Sequence, residues 1–216
     1  MIEKKIFESR EKWLEARANR IGGSDSASVL GLSPYKSNVR LWELKTGRAK
    51  EVDKSDNSFI QYGTAAESHL RELFKLDFPE YQVEYEENNM WLNDKFPFAH
   101  ASLDGWLIDP DGRKGILEIK TASIMSAVHR ERWTNHIPDN YYCQILHYLM
   151  ITEFDFAIVK AQLKLEFDSE LMINTKHYLF ERSDVSSDIE LMQKAEEKFY
   201  KHILTDTRPE LILPNI

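Results

Sequence analysis

The tetrapeptide Asp109-Pro110-Asp111-Gly112 lies between two segments rich in apolar residues, 99–108 and 115–121. Proline presets one turn angle and glycine tolerates the left-handed one, so this string marks a tight reversal of the chain. The flanking segments are expected to pair as a hairpin, which commits the chain to a sheet at its centre. Shorter strands are expected at 81–85 and 90–92, and two longer ones at 154–165 and 171–180.

Helical patterns surround this sheet. They cover residues 8–19, 24–30, 39–46, 59–74, 140–151 and 187–203, and Ala65, Ala66, Leu70, Leu73 and Phe74 give the fourth an apolar face. Gly31 and Gly47 are plausible helix stops. Ser187 with Glu190 has the spacing of a capping box. Residues 49–57 are charged and polar and read as a surface loop. Helices, then a hairpin-rich sheet, then helix, strands and helix make a mixed α/β (α+β) fold, a central mixed sheet flanked by helices.

With 216 residues the chain suits one domain, and 42% hydrophobic with 30% charged residues describes a soluble globule. No apolar run approaches the roughly 20 residues that span a bilayer, and the N-terminus lacks the apolar core of a secretory signal. A lone cysteine, Cys143, excludes an intramolecular disulfide and a Cys-rich metal site. A reducing, cytoplasmic setting follows as the expectation. The net charge of −8 disfavours a general polyanion binder, although a local basic groove is compatible with an acidic average.

The chemistry concentrates on the hairpin. In a strand over 115–121, Glu118 and Lys120 share one face while Leu117 and Ile119 point to the other. The reversal brings Asp104 back beside that polar pair. Glu67, on the preceding helix, is placed to hold a water or a second ion. Three acids and one amine are thus expected around one hard cation, Mg²⁺ with Mn²⁺ as a substitute, because oxygen ligands without His or Cys favour such ions. A bound divalent ion and a lysine suit attack on a phosphodiester, which is anionic and has a poor leaving group.

These residues carry a family resemblance. Asp104 followed by Glu118-Ile119-Lys120 resembles the PD-(D/E)XK nuclease signature, with Leu103 where the signature has proline. Trp13-x-x-x-Arg17 with Ile21-Gly22-Gly23-Ser24, Tyr62-Gly63-Thr64-Ala65-Ala66-Glu67, Ser102-Leu103-Asp104-Gly105 and Tyr141-Tyr142-Cys143-Gln144 resemble the lambda-exonuclease and YqaJ branch of phage recombination nucleases. The matches run in order from about residue 13 to 150.

The resemblance implies a restriction-endonuclease-like core. Asp104, Glu118 and the Ile119 carbonyl would bind the metal, Glu67 would complete the acidic cluster, and Lys120 would activate water. Gln144 would touch substrate phosphate or buttress the metal ligands. Arg17, Ser24 and Ser102 would hold a 5′-terminal phosphate, with Arg20 as a second candidate or a plain surface charge. Residues 1–56 would form a helical end-binding segment, 57–165 the catalytic core, and 166–216 a closing strand and helix. The implied activity is 5′-to-3′ digestion of duplex DNA, leaving 3′ single strands for a single-strand annealing protein. A phage or prophage origin in a bacterial host and a homo-oligomer, possible as a ring-shaped trimer, go with it. The alternatives are a related endonuclease or single-strand nuclease, and a DNA-binding protein without catalysis.

Overall fold

The computed structural model describes residues 1–52, 56–167 and 170–213. Along them run β1 (Ile2–Ile6), α1 (Arg10–Ala18), β2 (Ile21–Gly22), α2 (Gly23–Val29), α3 (Asn38–Lys45) and α4 (Ser58–Asp77). The strands β3 (Gln82–Glu84), β4 (Asn89–Asn93), β5 (Ala99–His100), β6 (Gly105–Ile108) and β7 (Lys114–Ile124) follow. Then come α5 (Ala127–Glu131), α6 (Asp139–Thr152), β8 (Phe156–Phe167), β9 (Glu170–Glu181) and α7 (Ser186–Leu204).

The expected turn forms through its own side chain. Asp109 Oδ1 accepts from the backbone N–H groups of Asp111 and Arg113 at 3.0 and 2.8 Å, and Gly112 takes φ +80°. β6 folds back on β7 with Gly105 opposite Leu117 and Ile108 opposite Lys114. Five strands in the order β3-β6-β7-β8-β9 form the main sheet, antiparallel throughout except for the parallel pair β7–β8. The expected mixed sheet flanked by helices is what the chain builds.

The strand expected over 99–108 is broken in two. β5 pairs in parallel with β2, β6 pairs with β7, and residues 102–104 belong to neither. Asn89 explains how the gap is tolerated. Its side chain accepts from the Leu103 N–H and donates to the Leu103 carbonyl, both at 2.9 Å. One amide replaces a rung of ladder, so Leu103 is buried with its backbone satisfied. The break leaves Asp104 free of a strand's alternation.

Two apolar layers fix the faces of β7. Leu117 and Ile119 pack with Ala66, Leu70 and Phe74 of α4. A larger core lies on the other side, where Ile145 and Leu149 of α6, Met192 of α7 and Val29 of α2 meet Ile116, Val159 and Ala161. Glu118 and Lys120 therefore open toward α6, as the period-two reading requires.

Other expectations change in detail. β1 carries no strong pattern and is added by pairing with β4. Helix α4 is 20 residues long and starts on an Asn57 cap that accepts from Phe59 and Ile60 N–H. Gly31 and Gly47 close α2 and α3 at φ +73°. The Ser187–Glu190 capping box does not form: α7 begins one residue earlier, and Val185 occupies the cap position without a side-chain bond. Residues 49–52 and 56–57 lie outside helices and strands, and residues 53–55 of that expected loop lie outside the described residues. No helix among the described residues is long and apolar enough to cross a membrane.

Candidate active site

Glu118 is the buried centre of the site, 2% exposed. Its Oε1 accepts from Lys120 Nζ at 2.5 Å and from Gln144 Nε2 at 2.7 Å. The second hydrogen of the Gln144 amide goes to the Tyr148 hydroxyl at 2.8 Å. Gln144 thus reaches the Glu118 carboxylate from α6. Glu118 Oε2 is buried with no hydrogen-bond partner among the described residues.

Asp104 reaches the same place from the gap between β5 and β6. Its Oδ2 accepts from the Ile119 N–H at 2.8 Å, which ties it to β7 one residue from Glu118. Burial, then the Asp104 charge, push the Glu118 carboxyl up to about 8, although Lys120 acts against both. Burial also raises Asp104, with Lys120 opposing. Burial pulls the Lys120 ammonium down, but Glu118 and Asp104 outweigh it and its pKa is raised. Lys120 is also 5.0 Å from the Tyr141 ring centroid, a cation–π contact that helps fix its stem.

The expectation of three acids around one ion needs correction. Among the described residues no three Asp, Glu, His or Cys side chains stand close enough to hold a metal together. Glu67 rises from α4, which covers the face of β7 opposite Glu118. Its carboxylate is met by Arg71 at 3.3 Å. Burial and then Asp104 raise the Glu67 pKa, and Arg71 opposes them. Arg71 was not singled out by the sequence reading. It also donates to the Asp104 carbonyl, and its guanidinium carbon is 3.5 Å from the Tyr85 ring centroid. The i, i+4 spacing from Glu67 to Arg71 was the available signal.

The donor set fits a hard divalent cation. Glu118 is buried, its Oε2 has no hydrogen-bond donor among the described residues, Asp104 is tied to the same strand at Ile119, and both pKa values are raised. Uncompensated negative charge in a buried site is the environment that a dication stabilises.

Beside this pair opens a polar cleft of about 460 Å³, lined by Arg17, Ser24, Ser102, Glu67 and Asp104 among others. Trp13 organises its wall. The indole N–H donates to the Asn89 carbonyl at 3.1 Å and to Ser102 Oγ at 3.2 Å. Arg17 lies 4.5 Å from its ring centroid, and Arg10, also missed in the sequence, lies 5.8 Å away. Neither arginine pairs with a carboxylate among the described residues. Ser24 is exposed as the second residue of α2. Gly23 lets α2 approach: a Cβ there would collide with the Tyr148 ring and lie 2.9 Å from Gln144 Cγ.

Arg20 is not brought to the cleft. Its guanidinium turns back and donates to the Ala16 carbonyl at 2.8 Å, because α1 ends beside it. His147 faces away, with both ring nitrogens bonded to the His100 carbonyl and Glu196. Trp133, in a basic and aromatic stretch, is core: it is 4% exposed and packs on Tyr141 and Tyr178.

Comparison with known proteins gives a family and a fold. The family model described as the YqaJ-like viral recombinase domain matches residues 12–155. The Bacillus subtilis (strain 168) protein "Uncharacterized protein YqaJ" is 31% identical over 142 residues, 65% of this chain and 42% of that protein. The chain therefore spans less than half the length of this curated relative. Among solved structures, an alkaline exonuclease (LHK-Exo) from Laribacter hongkongensis has a TM-score of 0.63 at 18% identity, covering 91% of this chain and 94% of that one. Its complex with dAMP scores 0.65 at 16% identity with the same coverage. A phage related exonuclease from Haemophilus somnus 129PT scores 0.58 at 14% identity, covering 87% and 96%. At these identities the structures establish likeness of fold. The chain belongs to the YqaJ-like viral recombinase domain family and has the PD-(D/E)XK fold.

Proposed function

We infer that the chain is a divalent-metal-dependent deoxyribonuclease, an exonuclease that digests duplex DNA from 5′ ends with Mg²⁺ as its ion. The observation that carries this reading is the buried Glu118 Oε2, without a hydrogen-bond partner among the described residues, on a carboxylate held by Lys120 and next to Ile119, where Asp104 is tied. Nucleases of this family are generally divalent-metal dependent. Asp104, Glu118 and the Ile119 carbonyl would hold the ion. When bound, such an ion offsets phosphate charge and lowers the pKa of water.

The chain's own groups do the rest. Lys120, held by Glu118, donates to a phosphate oxygen and stabilises charge that develops there. Gln144 fixes the Glu118 rotamer from α6. Arg17 is the residue for a terminal 5′ phosphate, since its fork meets two phosphate oxygens in parallel and no carboxylate competes for it among the described residues. Ser24 and Ser102 add hydroxyl donors on the same cleft. The product would be a 3′ single strand for an annealing protein, made in the cytoplasm of a bacterial host. A ring-shaped homo-oligomer rests on the family resemblance alone.

The test is digestion of linear duplex labelled at one end, with and without Mg²⁺, carrying either a 5′ phosphate or a 5′ hydroxyl. Metal-dependent release from the 5′-phosphorylated end, with closed circular duplex intact, is the expected result. Cutting of the circle would reassign the chain as an endonuclease. Absence of any cleavage would remove the catalytic reading.

A further inference from the structure

His100 lines the same cleft as Arg17, Ser24 and Ser102, although it is only 2% exposed. It ends β5, opposite Gly22 in the parallel pair with β2. A Cβ on Gly22 would stand 2.8 Å from the His100 Cε1 and 3.0 Å from its Nε2, and Arg17 Nη2 lies 3.7 Å from the same point. The imidazole and the guanidinium therefore lie side by side over bare backbone. The mount is firm: His147 Nε2 meets the His100 carbonyl at 2.8 Å, and His147 Nδ1 meets Glu196 at 2.7 Å, with both of those side chains fully buried.

The His100 ring is neutral at pH 7. Burial, then Arg17 and His147, hold its pKa well below the ordinary value; Lys45 adds to them and Asp25 opposes. A carboxylate here would cancel Arg17, whereas a neutral imidazole leaves that charge intact. The neutral ring carries one proton. On Nδ1 it would meet no acceptor, because Nδ1 is buried without a hydrogen-bond partner among the described residues. On Nε2 it lies beside Arg17, whose guanidinium rests on Trp13 and finds no acceptor among the described residues. Two neighbouring donors and one full positive charge thus stand without an acceptor. A phosphate monoester brings three acceptor oxygens and close to two negative charges, and a 5′ hydroxyl brings neither.

We propose that His100 is a specificity-determining residue of the cleft, whose Nε2–H donates to a terminal 5′ phosphate beside Arg17. The inference deepens the reading of the Arg17 cleft given above and rests on it. Ser24 and Ser102 then add hydroxyls to a pocket whose discrimination comes from the Arg17–His100 pair.

Binding of a labelled blunt duplex in EDTA, where no strand is cut, tests it with either a 5′ phosphate or a 5′ hydroxyl at the end. The wild type is expected to prefer the phosphorylated end. His100→Ala should shrink that preference by on the order of tenfold, the loss of one charge-assisted hydrogen bond, and leave affinity for the hydroxyl end unchanged. His100→Gln, whose amide nitrogen can stand where Nε2 stood, should keep most of the preference. His100→Asn, whose amide reaches only the Nδ1 position, should lose it. An unchanged preference in His100→Ala, an equal loss at both kinds of end, or equal preferences in the Gln and Asn variants overturns the proposal and leaves Arg17 and the nuclease reading standing. The Gln and Asn comparison decides the matter even where the Ala variant does not fold. A wild type without preference overturns this inference and the Arg17 pocket together, and one that binds no DNA overturns the nuclease reading as well.

Discussion

Asp25 offers the sharpest test of how the cleft is held open. It is 4% exposed on α2, one residue after Ser24. Lys36 and Lys45 each reach it at 2.9 Å, and their side chains are only 17% and 10% exposed. Its Oδ2 also accepts from the Gly22 N–H. Burial alone would raise its pKa, but Lys45 and Lys36 outweigh it and hold the carboxyl well below its ordinary value. Asp25→Asn keeps the shape, leaves the largely buried Lys45 ammonium without its counter-charge, and leaves Lys36 only the exposed Glu51 at 3.3 Å. Removing one member of a buried pair costs about 3–5 kcal/mol, which in a chain of this length lowers the melting temperature by on the order of 10 °C. Because the folded pKa is depressed, the Asp25 contribution is complete above the unfolded value of about 3.9 and is lost as the pH falls through the folded value. Urea unfolding of wild type and Asp25→Asn, repeated from pH 7 down to about pH 3, measures both effects. The gap between the two stabilities should begin to narrow as the pH falls below about 3.9. A loss below about 1 kcal/mol at neutral pH, or a gap that stays constant into acid, would refute the argument.

Other expectations follow the same geometry. Gly23→Ala should displace Tyr148 and pull Gln144 off Glu118, lowering turnover by roughly a hundredfold with DNA binding retained; turnover near the wild-type rate would show that the close approach of α2 is dispensable. Arg17→Ala should reduce the preference for 5′-phosphoryl over 5′-hydroxyl ends, and an unchanged ratio would remove it from the phosphate pocket. His147 is fully buried; burial lowers its pKa but Glu196 raises it further, so the net value is raised. Its contribution to stability is present below the unfolded value of about 6.5 and is lost as the pH rises through the folded one. Thermal unfolding should therefore show the wild type losing stability on the alkaline side, with Glu196→Gln flattening that slope; a wild type that gains stability there would contradict the pairing.

What was legible in the sequence was local. Asp109 and Gly112 declare the turn because a turn is made by its own residues. Glu118 and Lys120 declare a shared face because strand alternation is geometric. Gln144 could be placed near the acids through family resemblance, but its bond to Glu118 spans 26 residues and has no periodic signature. The same holds for Asn89, which completes the Leu103 backbone from 14 residues away and so converts an expected long strand into two short ones. Arg71 was hidden because a Glu–Arg pair one turn apart on a helix looks like a solvated face, and only the fold brings the Asp104 carbonyl to it. Trp133 stands among basic residues, and only its packing against Tyr141 and Tyr178 shows the indole to be core.

The central assignment rests on Lys120 acting beside the Asp104–Glu118 pair, and one rate decides it. Nucleotide release from 5′-phosphorylated linear duplex in Mg²⁺ should fall to background in Lys120→Ala, while its unfolding curve stays cooperative. Release by that variant at close to the wild-type rate would contradict it.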